Sequence, residues 1–323
     1  MKYYVGIDLG GTNVKAGLVD ANTNVLAKLQ VPTQVEAGPD KVIAVMADAA
    51  RQVVERGNIS MDQVASIGIG SPGSIDYEAG VILSAPNLTD FNDLPLRNRV
   101  TEVTGRPVIL ENDANAAAFG EFWAGAGRDQ SIRHLVMFTL GTGVGTGLII
   151  DGKLIRGAFG LGAEGGHMII EPNGRPCGCG QKGCLEAYTS APHTAARATE
   201  AVETGGNSSL QAILNDNRLI TSKDVFDAAA KGDPLANRIV DETVFYLALG
   251  CISICRLLDP QMIVFAGGMI LAGDILFERL HKSVDRQNWK MTKKTVEIVP
   301  AKLGNDAGFI GAAAVAWDAD QNA

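Results

Sequence analysis

Apolar positions in this chain come in short runs, and many of the runs end on glycine. Lys2 to Asp8 carries Tyr3, Tyr4, Val5 and Ile7 and predicts a buried strand, after which Gly10-Gly11-Thr12 turns the chain. Val14 to Val19 and Asn24 to Val31 read as two further strands, so the opening is a meander with a glycine corner. From Asp40 onward, Val42, Ile43, Val45, Met46, Ala49, Val53 and Val54 lie on one side of a helix that Gly57 closes. Val64 to Gly70 predicts a short strand, and Ser71-Pro72-Gly73 a loop. Val108 to Leu110 is another strand and leads directly into an Ala-rich helix, Asn112 to Trp123.

The opening pattern then recurs. His134 to Leu140 is a strand, Gly141-Thr142-Gly143 a corner, and Gly147 to Ile150 a second strand. Shifted by 131 residues, Val5, Leu9, Gly10 and Asp20 fall on Val136, Leu140, Gly141 and Asp151. Duplicated halves predict two similar domains with a ligand cleft between them. The remainder is mostly helical: Asp233 to Leu258, strand Met262 to Phe265, Gly267-Gly268, helix Asp274 to Gln287, strand Val296 to Val299, and helix Ala307 to Asp318. That last helix, packed back on the first domain, would make the domain discontinuous. The expected division is 1–111 plus about 304–323 for a smaller α/β domain and 112–303 for a larger one, with the chain crossing near 111–125.

Composition sharpens this picture in three ways. Glycine is in excess, 38 of 323 residues, and clusters at the corners; there the backbone needs positive φ or close approach to a ligand. The formal net charge of −8 argues against a broad nucleic-acid face. The opening run is broken by Gly6 and Asp8, and Phe245 to Leu258 is too short and too interrupted to span a bilayer. A cytoplasmic protein with no nucleic-acid or membrane partner is expected.

Glycine corners bring backbone N–H groups close to phosphate oxygens. Asp8-Leu9-Gly10-Gly11-Thr12 adds a carboxylate that suits a Mg²⁺ bridging phosphates. Gly141-Thr142-Gly143 and Gly267-Gly268 supply two more such corners. Any one of them is a plain hairpin corner; three in a duplicated frame point to nucleotide phosphates. No G-x-x-x-x-G-K-[ST] is present, and Gly141-Thr142-Gly143 leads into a strand, so neither a P-loop nor a dinucleotide site fits. The architecture indicated is the two-domain, ribonuclease H-like fold of actin-like ATPases.

Glu111-Asn112-Asp113-Ala114-Asn115 lies where a strand meets a helix. The plain reading is an N-cap, but three Asx residues exceed what one cap needs. An ionised Asp113 there can accept a hydroxyl proton, and Asn112 can hold a neighbouring hydroxyl. Cys177, Cys179 and Cys184, with His167 ten residues earlier, fill a closed tetrahedral zinc site. Cys251 and Cys255 lie in an apolar helix and read as core. Glu164 and Glu186 flank the cysteine block; by themselves they read as solvated loop charges, while glycine-rich loops that fix them would let them hydrogen-bond sugar hydroxyls.

Taken in order, Asp8-Leu9-Gly10-Gly11-Thr12, Glu111 to Ala117, Leu140-Gly141-Thr142-Gly143, Glu164-Gly165-Gly166-His167 and Cys177 to Glu186 resemble the ROK family, above all its bacterial ATP-dependent glucokinases. The resemblance implies glucose phosphorylation at the 6-hydroxyl, with Asp113 as catalytic base. It implies Gly73, Asn87, Asn112, Glu164, His167 and Glu186 as sugar ligands. Gly10, Gly11, Thr12, Thr142, Gly143, Gly267 and Gly268 become the ATP side, with Asp8 nearest Mg²⁺. His167, Cys177, Cys179 and Cys184 become zinc ligands, and a homodimer or homotetramer is expected. Thr146 stands where many relatives have glycine, and its side chain is expected to narrow the approach to the phosphates. Competing readings are a kinase for N-acetylmannosamine, N-acetylglucosamine or fructose, a polyphosphate-using glucokinase, and a sugar-responsive regulator. The regulator reading needs a helix-turn-helix ahead of Asp8, the eighth residue, and is the weakest.

Overall fold

The structure is a computed structural model that describes residues 2–85, 88, 90–129, 131–287 and 295–322. In chain order the first elements are β1 (Tyr3–Leu9), β2 (Asn13–Asp20), β3 (Val25–Pro32), α1 (Pro39–Arg56), β4 (Val64–Ser71), β5 (Ser74–Asp76), β6 (Val81–Ser84), α2 (Leu96–Thr104), β7 (Val108–Asn112) and α3 (Asp113–Trp123). There follow β8 (Leu135–Leu140), β9 (Val144–Ile150), β10 (Lys153–Leu154), α4 (Glu186–Thr189), α5 (Ala191–Glu203), α6 (Gln211–Asn215), α7 (Ser222–Ala230) and α8 (Pro234–Leu258). The chain continues through β11 (Met262–Ala266), α9 (Asp274–Gln287), β12 (Glu297–Pro300) and α10 (Ala307–Gln321).

The duplication is visible in the strand order. One five-stranded sheet runs β3-β2-β1-β4-β7 and the other β10-β9-β8-β11-β12, so corresponding strands hold corresponding places. In the first sheet β1 pairs with β2 antiparallel and with β4 parallel, and β4 pairs with β7 parallel. In the second, β11 pairs with β8 and β12, both parallel.

The chain forms two compact units, the first of residues 1–133, 147–163 and 301–323, the second of 134–146 and 164–300. The first unit is thus larger than the division 1–111 plus 304–323: it also takes in 112–133 and 147–163. Packing explains the addition. α3 lies on α10, where a Cβ on Gly311 would fall 1.8 Å from the Ala116 carbonyl oxygen. Gly147 lies against Ala118 on α3, and Gly160 against Tyr77.

The first sheet is covered on both faces, which its nearly continuous apolar strands require. Val5, Ile7 and Leu9 face a core shared with Val42, Met46 and Val53 of α1. Tyr4 and Val19 face Phe309, Ile310, Ala313 and Ala316 of α10. α10 rests directly on backbone: a Cβ on Gly6 or Gly68 would come within 1.7 or 1.8 Å of the Phe309 or Ala312 carbonyl oxygen. A buried carboxylate fixes where the chain returns to this helix. Glu121 accepts the N–H groups of Ala126 (2.8 Å), Lys302 (3.1 Å) and Leu303 (2.7 Å).

In the second unit all of β11 is buried, and Phe265 stacks on Phe138 of β8 at 5.5 Å. α8 begins at Asp233, whose carboxylate caps the Ala236 N–H at 3.0 Å. Cys251 is fully buried in α8, as expected of a core thiol, and Cys255 is partly so. Two expectations needed changes. β9 begins at Val144, not Gly147, so the glycine corner is tighter, and a third meander strand, β10, follows it. Between the 71–73 loop and β7 the chain also forms the β5–β6 hairpin and α2, for which no sequence pattern was assigned. Among the described residues no helix is long and apolar enough to cross a membrane.

Candidate active site

Candidate site residues lie in both units. In the first, the parallel strands β1, β4 and β7 end side by side: Asp8 pairs with Gly70, Gly70 with Glu111, and Ser71 with Asn112. One sheet edge therefore presents Asp8 and the residues that open α3. Lys15, opposite Asp8 on β2, places Nζ 4.0 Å from its carboxylate. Burial raises the Asp8 pKa, Lys15 opposes the rise, and the charge of Asp113 adds to it. Two bonds brace the corner Gly10-Gly11-Thr12 from behind: the Thr33 hydroxyl donates to the Gly10 carbonyl at 2.6 Å, and the Thr33 N–H to that of Thr12 at 2.9 Å.

The Asx run after β7 divides its labour. Asn112 is the cap, its Oδ1 accepting the N–H groups of Ala114 (3.0 Å) and Asn115 (3.2 Å). Its Nδ2 reaches the Gly73 carbonyl at 3.4 Å and so ties the 71–73 loop to the same edge. Asn115 is buried and donates to Glu111 at 3.1 Å. The Asp113 Oδ1 accepts the Ala114 N–H at 2.8 Å. Solvent reaches its carboxylate, yet the protein packed round it withholds enough water to raise the pKa, against the pull of backbone N–H groups.

Glu111 carries an arrangement that the sequence reading passed over. Its carboxylate is fully buried and accepts Arg156 Nε at 2.7 Å and the Asn112 N–H at 3.0 Å, besides Asn115. The Tyr77 hydroxyl accepts Asn115 Nδ2 at 3.5 Å beside it, and the Arg156 guanidinium lies 5.1 Å from the Tyr77 ring centre. A charge at the end of the apolar strand Val108–Leu110 was the available signal.

The second unit places its two glycine corners together. β8 and β11 run parallel and adjacent, and Gly267, at φ +90°, lies against the backbone of Leu140. Thr142 is exposed at its corner, and Gly268 follows Gly267 into a 3-10 turn. A further 3-10 turn, Gly165–His167, carries Glu164 at one end and His167 at the other. Glu186 opens α4; its Oε2 accepts the Val144 N–H at 2.9 Å, beside Gly143, and its Oε1 stands 3.4 Å from Cys177 Sγ.

His167, Cys177, Cys179 and Cys184 converge, with all four ligand atoms within 4.8 Å of one another. Cys179 and Cys184 Sγ atoms are 3.7 Å apart, and Cys177 Sγ lies 3.6 Å from His167 Nδ1. A sulfur pair at 3.7 Å is no disulfide. Tetrahedral edges built from zinc's bond lengths are about 3.8 Å between sulfurs and about 3.6 Å between sulfur and nitrogen, so the donor set fits zinc. The backbone N–H of Gln181 holds the Cys179 thiol low, at about 7. Burial pushes Cys177 up to about 12 and raises Cys184, a desolvation that a dication offsets.

Two expectations are modified. Thr146 does not face a phosphate corner; its side chain is buried against Gly165, on the side of the Glu164–His167 turn. The alternation of side chains along β9 sends it there. Asn87 lies outside the described residues.

The sequence profile of the ROK family matches residues 4–319. The chain is 38% identical to a glucokinase of Thermotoga maritima over 311 residues, 96% of each protein. Among solved structures, it superposes on a ROK hexokinase of Thermus thermophilus with a TM-score of 0.85 and 34% identity, covering 99% of this chain and all of that one. A ROK family glucokinase of Streptomyces griseus, solved in complex with glucose and AMPPNP, superposes with a TM-score of 0.77 at 34% identity, over 98% and 99% of the two chains. The fold is the α/β fold of actin-like ATPases, as the duplicated glycine corners had indicated. From corner to cysteine block to C-terminal helix, the chain belongs to the ROK family.

Proposed function

We propose that this protein is an ATP-dependent glucokinase, which transfers the γ-phosphoryl group of ATP to the 6-hydroxyl of glucose. In this reading Asp113 takes the proton of the 6-hydroxyl as that oxygen attacks phosphorus; the bond from phosphorus to the β–γ bridging oxygen breaks, and ADP leaves with the electron pair. What supports Asp113 is its freedom. Asn112 is taken up by the cap and Asn115 donates to Glu111, which leaves Asp113 as the member of the Asx run whose carboxylate keeps spare lone pairs. Its raised pKa makes it a better base than an ordinary aspartate.

Gly73, Asn87, Asn112, Glu164, His167 and Glu186 are the sugar ligands of this reading. Gly10, Gly11, Thr12, Thr142, Gly143, Gly267 and Gly268 hold ATP through backbone and hydroxyl groups. Asp8, a hard oxygen donor beside the first corner, suits Mg²⁺, which when bound neutralises charge on the phosphate oxygens. His167, Cys177, Cys179 and Cys184 hold a structural zinc that fixes the loop carrying His167 and Glu186. The same reading makes the protein a cytoplasmic homodimer or homotetramer that feeds glycolysis, with no nucleic-acid partner; light scattering after size exclusion checks the oligomer.

A coupled ADP-release assay with glucose, on wild type and Asp113→Asn, tests the proposal. The expected result is turnover by wild type and a loss of about 10²-fold or more in kcat for the variant. Turnover on N-acetylmannosamine, N-acetylglucosamine or fructose alone, or with polyphosphate alone, would move the substrate and keep the base. A wild type inert on every hexose would overturn the reading.

A further inference from the structure

Thr146 lies on β9, three residues past the corner Gly141–Gly143, and is only 4% exposed. Its hydroxyl is shut off from solvent and has no hydrogen-bond partner among the described residues. Folds keep few such groups, because a buried hydroxyl left unpaired is costly and a valine of the same shape avoids the cost.

The hydroxyl's neighbour is Gly165. A Cβ there would fall 2.7 Å from Thr146 Oγ1 and 3.2 Å from Cγ2. Val144, two residues earlier on β9, bears on Gly166 in the same way: a Cβ on Gly166 would fall 1.9 Å from the Val144 carbonyl oxygen. The two glycines lay the Gly165–His167 turn flat on β9, and the unpaired hydroxyl sits in the floor under it.

We infer that Thr146 is a positioning residue for the sugar-binding turn, its hydroxyl pairing with the backbone of Glu164-Gly165-Gly166-His167 when that turn is drawn onto a hexose. This rests on the sugar roles proposed for Glu164 and His167. The turn ends on both of those side chains, so a small shift of Gly165 moves both at once. The hydrogen bond forms on binding and persists unchanged through phosphoryl transfer. It therefore strengthens sugar affinity without lowering the chemical barrier, and its loss shows in KM and Kd but not in kcat.

The test compares Thr146→Val, which keeps the shape and deletes the hydroxyl, with Thr146→Ser, which keeps the hydroxyl. Glucose binding is measured by titration calorimetry beside steady-state kinetics. The expected result for Thr146→Val is a rise of about tenfold in the Kd and KM for glucose, equivalent to about 1.4 kcal/mol, with kcat within about twofold. Its melting temperature without sugar is expected to equal or exceed that of wild type, since the unpaired hydroxyl is gone. Thr146→Ser is expected to bind within about threefold of wild type. A valine variant that binds glucose as wild type does overturns the inference, as does a serine variant as weak as valine, which would assign the effect to shape. A wild type that neither binds nor phosphorylates any hexose overturns the kinase reading and this inference with it. Normal wild-type turnover with an unaltered valine variant overturns this inference alone.

Discussion

The pair Glu111 and Arg156 joins the strand that leads into Asp113 to a segment 45 residues away. Its two members sit in different surroundings: the Glu111 side chain is 0% exposed and that of Arg156 36%. Replacing Arg156 by Ala leaves a fully buried carboxylate with neutral donors only. At about 4 Å between charge centres and an effective permittivity of about 20, the lost attraction is about 4 kcal/mol. Water already reaches a third of the guanidinium, so the discounted cost is about 2 kcal/mol, and loss of the contact with Tyr77 adds about 0.5 kcal/mol. Replacing Glu111 by Gln strands the arginine instead, which can turn to solvent; about 1 kcal/mol is expected. Arg156→Ala should therefore cost about two and a half times what Glu111→Gln costs. Urea unfolding followed by fluorescence measures this, because the Trp123 and Trp317 rings lie 5.4 Å apart within the first unit. A Trp289→Phe background removes the remaining tryptophan. The double variant should fall well short of the sum. An Arg156→Ala variant within about 0.5 kcal/mol of wild type, or strict additivity, would refute the reasoning.

Other outcomes follow from the same geometry. Because burial raises the Asp113 pKa above the ordinary 3.8, the acid limb of kcat/KM should fall at higher pH than an unperturbed aspartate would give, and Asp113→Asn should abolish that limb. A carboxyl whose folded pKa is raised destabilises the fold as pH climbs from the unfolded value through the folded one. Asp113→Asn should therefore melt no lower than wild type at neutral pH, and any gain should vanish below pH 3.8, as calorimetry across pH will reveal. Elemental analysis should find one zinc per chain, and Cys184→Ser should lose it together with the ordered loop; full occupancy in that variant would exclude the ligand set. Gly311→Ala must push α3 off α10, since its Cβ would meet the Ala116 carbonyl at 1.8 Å. A loss of about 3 kcal/mol is expected, and an unchanged melting temperature would count against this packing.

The strands were legible because their apolar runs stop at glycine or at Asp. β1, β4, β8, β11 and α9 fall within two residues of their expected limits. What stayed hidden depends on contacts across long stretches of sequence. Residues 147–163 join the first unit through Arg156 on Glu111 and Gly160 on Tyr77, and no local pattern announces either. The roles of Asn112, Asp113 and Asn115 could not be separated from composition, since any of the three can cap a helix; only the bonds made by the other two single out Asp113. Thr146 was misdirected for a related reason. A glycine corner leaves the phase of the next strand open, so whether residue 146 faced a phosphate or the Gly165 backbone was undetermined until β9 was seen to begin at Val144.

The seat of α10 on Gly6 and Gly68 has a consequence for the chain's birth. The sheet of residues 3–112 emerges first from the ribosome, but the helix that covers its second face follows the whole of residues 134–300. At ordinary rates of synthesis that delay is roughly 10–30 s. Throughout it, the face bearing Tyr4 and Val19 is an apolar surface without its cover. The nascent protein should thus be a client for chaperones until residues 301–321 arrive. A stop codon shortly before Ala307 should abolish folding of the sheet made first, though it deletes none of its strands.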